Sequence, residues 1–258
     1  MTIGLRAGPE FDGDGFMTGQ DNGFMTPPPR AVSLDLDNTL WDTPPVLVRA
    51  EAVLRRWLET EMPALAERYD PGALTALRLE VLAGEPARAH DLSWIRTEAL
   101  RRAARASGYA DTHADRAFEV FLTARNDIEP FDEVRPALAW LAERLPLYAV
   151  TNGNACVHRV GLGAHFAGAV DPVRAGAAKP DPRIFAELVA LAGVPPATIL
   201  HVGDDPQADV EGARLAGLVS VWMNRTGAPW VTTFAPPDHE ISNLDELVVL
   251  VRLLLGSG

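Results

Sequence analysis

Apolar residues recur every three or four positions through the first half of the chain, then gather into short uninterrupted runs in the second. Over 45–61, Val46, Leu47, Ala50, Val53, Leu54, Trp57 and Leu58 keep that spacing, which lines them up on one face of a helix. Helix-like segments follow over 71–83, 92–107 and 111–125, with Asp70-Pro71 and Gly108 as breaks between them. No stretch between 44 and 127 reads as a strand. The pattern predicts an all-helical block there.

Around that block the texture differs. Ala31-Val32-Ser33-Leu34 is short, apolar and β-prone, and from residue 130 onward helices and strands alternate. Helices are expected over 132–144, 154–162, 182–192, 205–216 and 244–255, and strands over 147–150, 169–170, 198–202 and 219–223. Such alternation implies an α/β fold, a Rossmann-like parallel sheet with helices on both faces. The expected organisation is a core from 31–43 and 128–258, interrupted after its first strand by an inserted all-helical cap domain over 44–127.

Residues 1–30 are rich in Gly, Asp, Met and Pro, repeat Gly-Phe-Met-Thr at 15–18 and 23–26, and lack a signal-peptide pattern. They are expected to form a flexible leader, and Met25 offers an alternative start. The 258 residues, 47% of them hydrophobic, suffice for real cores. With 35 acidic against 23 basic residues, the net charge of -12 argues against nucleic acid or an anionic membrane as partner. An anionic ligand must then meet local cations. Cys156, the single cysteine, cannot form an internal disulfide, and no apolar run approaches the roughly 20 residues that span a bilayer. A reducing, cytoplasmic setting is the expectation.

In an open parallel sheet, chemistry collects where strands end. Asp35 and Asp37 follow the first strand one residue apart, and carboxylates that close repel unless a cation or proton lies between them. Taken alone, the pair also suits a strand running into an Asx turn. The 147–150 run ends in Thr151-Asn152-Gly153-Asn154, a hydroxyl, an amide and a glycine that lets backbone NH groups approach a phosphate; a capped helix start would look the same. The 198–202 run ends in Gly203-Asp204-Asp205-Pro206, with Asp209 one turn on, and acidic residues there also complement a helix dipole. Between the two stands Lys179, just ahead of a helix that Pro182 would start.

In that order, Asp-x-Asp, Thr, Lys and Gly-Asp-Asp, the chain from Ala31 to about Leu250 resembles the haloacid-dehalogenase-type hydrolase superfamily. The insertion after the first motif resembles the helical cap of its subfamily I. The 27 residues separating Thr151 from Lys179 leave no room for the alternative cap. Within the superfamily, 35–42, 149–155, Gly161-Leu162-Gly163 and 201–205 resemble the bacterial riboflavin-pathway phosphatases, which act on 5-amino-6-(5-phospho-D-ribitylamino)uracil and also hydrolyse FMN.

The resemblance implies a Mg²⁺-dependent phosphatase of a small phosphorylated metabolite. Asp35 would attack phosphorus and become an aspartyl-phosphate, while Asp37 would protonate the leaving alcohol and then deprotonate the attacking water. The Asp35 carboxylate, the Asp37 backbone carbonyl and the Asp204 carboxylate would hold Mg²⁺. Asp205 or Asp209, with Asp209 preferred, would hold metal-bound water or Lys179 from behind. Thr151, the Asn152 NH and Lys179 would bind phosphate oxygens, and Asn38 and Gly153 would belong to the same substrate- and phosphate-binding set. Dehalogenases proper lack the second aspartate and need no metal, so Asp37 points to phosphate chemistry. The β-phosphoglucomutases share it, which leaves a mutase open. Another sugar phosphate, phosphoglycolate or a nucleoside monophosphate are alternative substrates, and a noncatalytic metabolite-binding protein would be expected to have lost a carboxylate. A monomer or weak dimer is expected.

Trp41-Asp42 reads as a flap and Ile128-Glu129-Pro130 as a return hinge. In the segment 90–96, Trp94 groups with cationic residues in a way that suits stacking on a ring, but core packing is the preferred reading. Arg96 and Arg125 are expected in solvent, His201 as a hydrogen-bonded core histidine, and Cys156 without a role.

Overall fold

The computed structural model describes residues 27–256 apart from residue 232. The expected leader, with its repeat and Met25, lies outside the described residues up to position 26.

Six parallel strands form one sheet: β1 (Ala31–Leu34), β2 (Leu147–Val150), β3 (Gly168–Val170), β4 (Ile199–Gly203), β5 (Val219–Met223) and β6 (His239–Ile241), in the order β3-β2-β1-β4-β5-β6. Every residue of β1, β2, β4 and β5 is buried, because helices cover both faces, and this is why those strands read as continuous apolar runs. On one face, Val32 and Leu34 pack with α6 (Val134–Ala142) and α10 (Leu244–Gly256). On the other, Ala31 and Tyr148 pack with Ile184, Phe185 and Leu188 of α8 (Pro182–Ala192). The chain runs from β1 to β2 and β3 on one side and to β4, β5 and β6 on the other. The carboxyl ends of β1, β2 and β4 therefore meet at the point where the order reverses, the usual crevice for ligands.

Between β1 and α6 lie α1 (Thr43–Glu61), α2 (Pro63–Arg68), α3 (Pro71–Gly84), α4 (Leu92–Ala106) and α5 (Asp111–Arg125). They bury a core of their own, in which Ala50, Leu54 and Leu58 of α1 meet Leu100, Ala103 and Ala104 of α4 and Ala114, Ala117 and Phe121 of α5. Small alanines on the facing stripes let the helices pack closely. Asp70 and Asp91 cap α3 and α4 by accepting from Ala73 N and Trp94 N at 2.7 and 2.9 Å. Among the described residues, no helix is long and apolar enough to cross a membrane.

Two expected helices need correction. The segment 154–162 is a chain of turns: Val160 N donates to Cys156 O, Gly161 N to His158 O and Leu162 N to Val157 O, three spans of different length. Gly161 is left-handed, with φ +74°, and the Asn126 side chain takes the Cys156 NH. Val157, Val160 and Leu162 are all buried, so core packing alone produced the helix-like spacing. The second, 205–216, starts as a π-helical turn (Pro206–Glu211) that passes into α9 (Gly212–Leu215). The elements α2, β6 and a four-residue α7 (Pro172–Ala175) were not expected; each is too short to show a period.

Candidate active site

The loop after β1 carries the first two carboxylates. Asp35 N still donates to Val202 O at 2.8 Å, so Asp35 extends the pairing with β4 while its side chain is 8% exposed. The chain then turns sharply. Asn38, at φ +59°, is the sole left-handed non-glycine among the described residues, in a conformation Asn tolerates better than most. Its amide oxygen accepts from Thr43 N, and its own NH donates to Thr43 Oγ1, which anchors the start of α1. Asp37 is gripped from three sides. Trp41 Nε1 and Thr43 Oγ1 donate to Oδ1 at 3.0 and 2.8 Å, and Arg125 Nη2 lies 2.5 and 2.6 Å from the two oxygens.

Lys179 is the buried cation of the site. Its Nζ donates to Asp35 Oδ1 at 2.5 Å, to Asp209 Oδ1 at 2.7 Å and to Val150 O at 2.7 Å. Burial alone would lower its pKa, but Asp209 and Asp35 outweigh that and hold it charged well above the usual lysine range. The Asn152 side chain clasps the Lys179 backbone, accepting from its NH at 2.7 Å and donating to its carbonyl at 2.9 Å. Thr151 Oγ1 accepts from Gly153 N at 2.9 Å, which shapes the loop after β2.

The loop after β4 divides its three carboxylates. Asp205 Oδ1 caps the following turn, accepting from Gln207 N and Ala208 N. Asp209 points back into the sheet, where it meets Lys179, His201 Nε2 at 3.2 Å and the Asp205 NH at 3.0 Å. Burial would raise Asp209, but Lys179 and His201 hold it below the usual carboxylate range. His201 lies opposite Ser33 in the β1–β4 register, with Ser33 Oγ 2.8 Å from its Nδ1. Burial lowers the His201 pKa, so the ring is neutral, with Nε2–H donating to Asp209 and Nδ1 accepting from Ser33. This is a hydrogen-bonded core histidine, one that supports Asp209.

Asp35, Asp204 and Asp209 each offer an oxygen within 4.8 Å of the others. Asp209 is spent on Lys179 and His201, whereas Asp204 joins no ion pair among the described residues. Burial and the charge of Asp209 push the Asp204 carboxyl up to about 6. Burial, with Asp209 and Asp204 adding to it and Lys179 opposing, pushes Asp35 well above the carboxylate range. Excess negative charge on hard oxygen donors beside a phosphate-sized space is what Mg²⁺ requires. Asp35 and Asp204 fit it best. A cavity of about 170 Å³ brings together Asp35, Asp37, Asn38, Thr151, Asn152, Gly153, Lys179, Asp204, Asp205 and Asp209.

A model of the haloacid dehalogenase-like hydrolase family matches residues 29–217, most of the chain. The chain belongs to that family. Among curated relatives it is 32% identical to a 5-amino-6-(5-phospho-D-ribitylamino)uracil phosphatase of Escherichia coli, over 86% of this chain and 95% of that protein. It is 33% identical to a phosphoserine phosphatase of Thermus thermophilus, over 81% and 85%. A crystal structure described as a 2-haloacid dehalogenase from Pseudomonas syringae pv. Tomato superposes with a TM-score of 0.82 at 40% identity, covering 87% of this chain and 99% of that one.

In this haloacid dehalogenase-like hydrolase, two arginines depart from the sequence expectation. Arg125, expected in solvent, is 2% exposed and bound to Asp37; Arg96 pairs with Glu51 at 2.8 Å and covers the Phe121 ring at 3.6 Å. A signal for Arg125 was present. It stands four residues after Phe121 and eight after Ala117, on the buried stripe of α5, and a cation on an apolar stripe needs a buried partner. Trp94 is partly buried beside Val81, Ile95 and Ala99, with the Arg88 guanidinium 4.6 Å from its ring. Cys156 is a free, partly buried thiol.

Proposed function

We propose that this protein is a Mg²⁺-dependent phosphomonoesterase of a small metabolite that works through an aspartyl-phosphate on Asp35. The observation that carries the reading is the divided pair after β1: Asp35 is held by Lys179 on the sheet side, and Asp37 by Trp41, Thr43 and Arg125 on the helical side. Two fixed carboxylates facing one cavity suit two different tasks.

Asp35, with one oxygen held by Lys179, attacks phosphorus and displaces the alcohol. Asp37, aimed toward the helical block where the alcohol departs, gives that oxygen a proton and then takes one from the water that hydrolyses the phosphoenzyme. Lys179 stays protonated and neutralises nonbridging oxygens together with Thr151 and the backbone NH groups of its loop. The Asp35 and Asp204 carboxylates and the Asp37 carbonyl would hold Mg²⁺, which would supply further positive charge to the phosphoryl group. Asp209 and His201 set the position of Lys179. The helical block acts as a cap over the site, and the setting is cytoplasmic with no nucleic-acid or membrane partner.

The test is Mg²⁺-dependent release of inorganic phosphate from phenyl phosphate and from a panel of metabolites. The panel includes the ribitylaminouracil phosphate, suggested by the Escherichia coli relative, with FMN, phosphoserine, phosphoglycolate and nucleoside monophosphates. Phosphate release, with no halide release from 2-chloropropionate, is expected. Halide release without phosphate release would overturn the reading in favour of a dehalogenase.

A further inference from the structure

A second cavity, of about 350 Å³, adjoins the first and shares Asp37 and Gly153 with it. Its far side belongs to the helical block, where Leu47, Leu82, Ile95 and Phe121 give it apolar walls. Three guanidinium groups also line it, those of Arg78, Arg96 and Arg125, in a chain whose net charge is -12.

These arginines are not balanced. Arg78 Nη1 and Arg96 Nη2 both bond the same oxygen, Glu51 Oε1, at 3.0 and 2.8 Å, and Arg125 is paired with Asp37. Three positive charges thus face two negative ones. Arg125 supplies a second, independent sign: its Nη1 is buried and has no hydrogen-bond partner among the described residues. A buried donor on a charged group is costly to leave unpaired, so an acceptor is expected to meet it when the site is filled.

We propose that this cavity is an anion-accepting subsite for the leaving group, with Arg125 and Arg96 as its receptors. The substrate is then a phosphomonoester whose alcohol carries a carboxylate on a largely apolar scaffold. One excess positive charge matches one carboxylate; a second phosphate dianion would overshoot it. Arg125 sits at the boundary between the cavities, so it touches the substrate and Asp37 together and registers the scaffold against the ester oxygen. The proposal rests on the phosphatase reading and extends it to the class of alcohol released.

The test compares kcat/KM for the 3- and 4-carboxyphenyl phosphates with their carboxamide counterparts, and with phenyl phosphate as reference. The carboxamides are isosteric and release the better leaving group, so a preference for the carboxylate reports binding. About a tenfold or larger preference is expected for the better-fitting isomer, as charge-assisted pairing gives. It should fall towards one in Arg125→Gln and in Arg96→Gln; the latter leaves the contacts of Asp37 intact and guards against a fold defect in the former. Turnover of phenyl phosphate with a ratio near one for both isomers overturns the subsite and leaves the phosphatase reading standing, and so does a preference that survives both substitutions. No turnover of any aryl phosphate overturns the phosphatase reading and the subsite with it.

Discussion

Arg125 Nη2 lies 2.5 and 2.6 Å from the two carboxylate oxygens of Asp37, joining the last turn of α5 to the loop after β1. The pair spans 88 positions of sequence and links the helical block to the sheet at the site itself. Arg125 is 2% exposed and the Asp37 side chain 21%, so the pair is shielded from solvent on the arginine side only. A double-mutant cycle with Arg125→Met and Asp37→Asn should give a coupling energy of about 1–3 kcal/mol in urea denaturation. Additive effects would show that the two side chains do not stabilise each other.

Gly153 makes room for that pair. A methyl group on its α-carbon would sit 2.5 Å from Asp37 Oδ2 and 3.4 Å from Arg125 Nη2. Asp37 cannot swing away without giving up Trp41, Thr43 or Arg125, so Gly153→Ala displaces the carboxylate proposed as the acid–base group. Phosphatase kcat should drop by about 10²-fold, the low end of what general acid–base catalysis contributes, and the melting temperature should fall by a few degrees as a contact of Asp37 is lost. Wild-type kcat in this variant would show that the position of Asp37 is not critical.

Lys179→Met leaves Asp35 and Asp209 buried and facing each other without a cation. The loss should be about 3–5 kcal/mol at neutral pH, as for one partner removed from a buried ion pair. The sign of its pH dependence follows. Without the lysine, both carboxylates bind protons more tightly folded than unfolded, so the variant loses stability as pH rises and recovers part of it near pH 5. Denaturation midpoints at the two pH values check this; a variant as stable as wild type at neutral pH would contradict the assigned network.

If Asp204 holds Mg²⁺ as proposed, the ion and protons compete for its carboxyl, which is raised to about 6 by burial and by Asp209. A raised carboxyl pKa means that the folded protein holds the proton more tightly than the unfolded chain. The metal-free protein therefore loses this contribution as pH rises towards 6, and Mg²⁺ replaces it above that. The thermal shift produced by a fixed Mg²⁺ concentration should be larger at pH 7.5 than at pH 5. The Mg²⁺ concentration for half-maximal activity should rise by about tenfold or more per unit below pH 6, one proton being displaced from Asp204 per ion and a further one wherever Asp35 is protonated. A half-maximal concentration independent of pH over that range would remove Asp204 from the metal site.

The parts of this fold that were legible in the sequence are those with long periods or full burial. β2, α5, α8 and β5 fall on the expected residues because a two-sided buried strand or an amphipathic helix leaves an unbroken pattern. Segment 154–162 misled because Val157, Val160 and Leu162 serve a packed loop whose hydrogen bonds go to distant partners such as Asn126. At the site, residue types after the strands were visible, but their partners were not. Asp205 and Asp209 look alike in sequence; only the π-helical turn shows one capping its own loop and the other reaching Lys179 and His201. Arg125 reaches Asp37 through a tertiary contact 88 positions apart, which spacing does not display, and Trp41, only four positions on, is aimed at Asp37 by the turn of the loop after β1.

The central claim is that Asp35 becomes covalently phosphorylated. Acid quenching of the protein during turnover of phenyl phosphate with Mg²⁺, followed by peptide mass mapping, should find a hydroxylamine-labile phosphoryl group on Asp35, absent from Asp35→Asn, which should release no phosphate. A phosphoryl group on any other residue, or undiminished phosphate release by Asp35→Asn, would contradict the account.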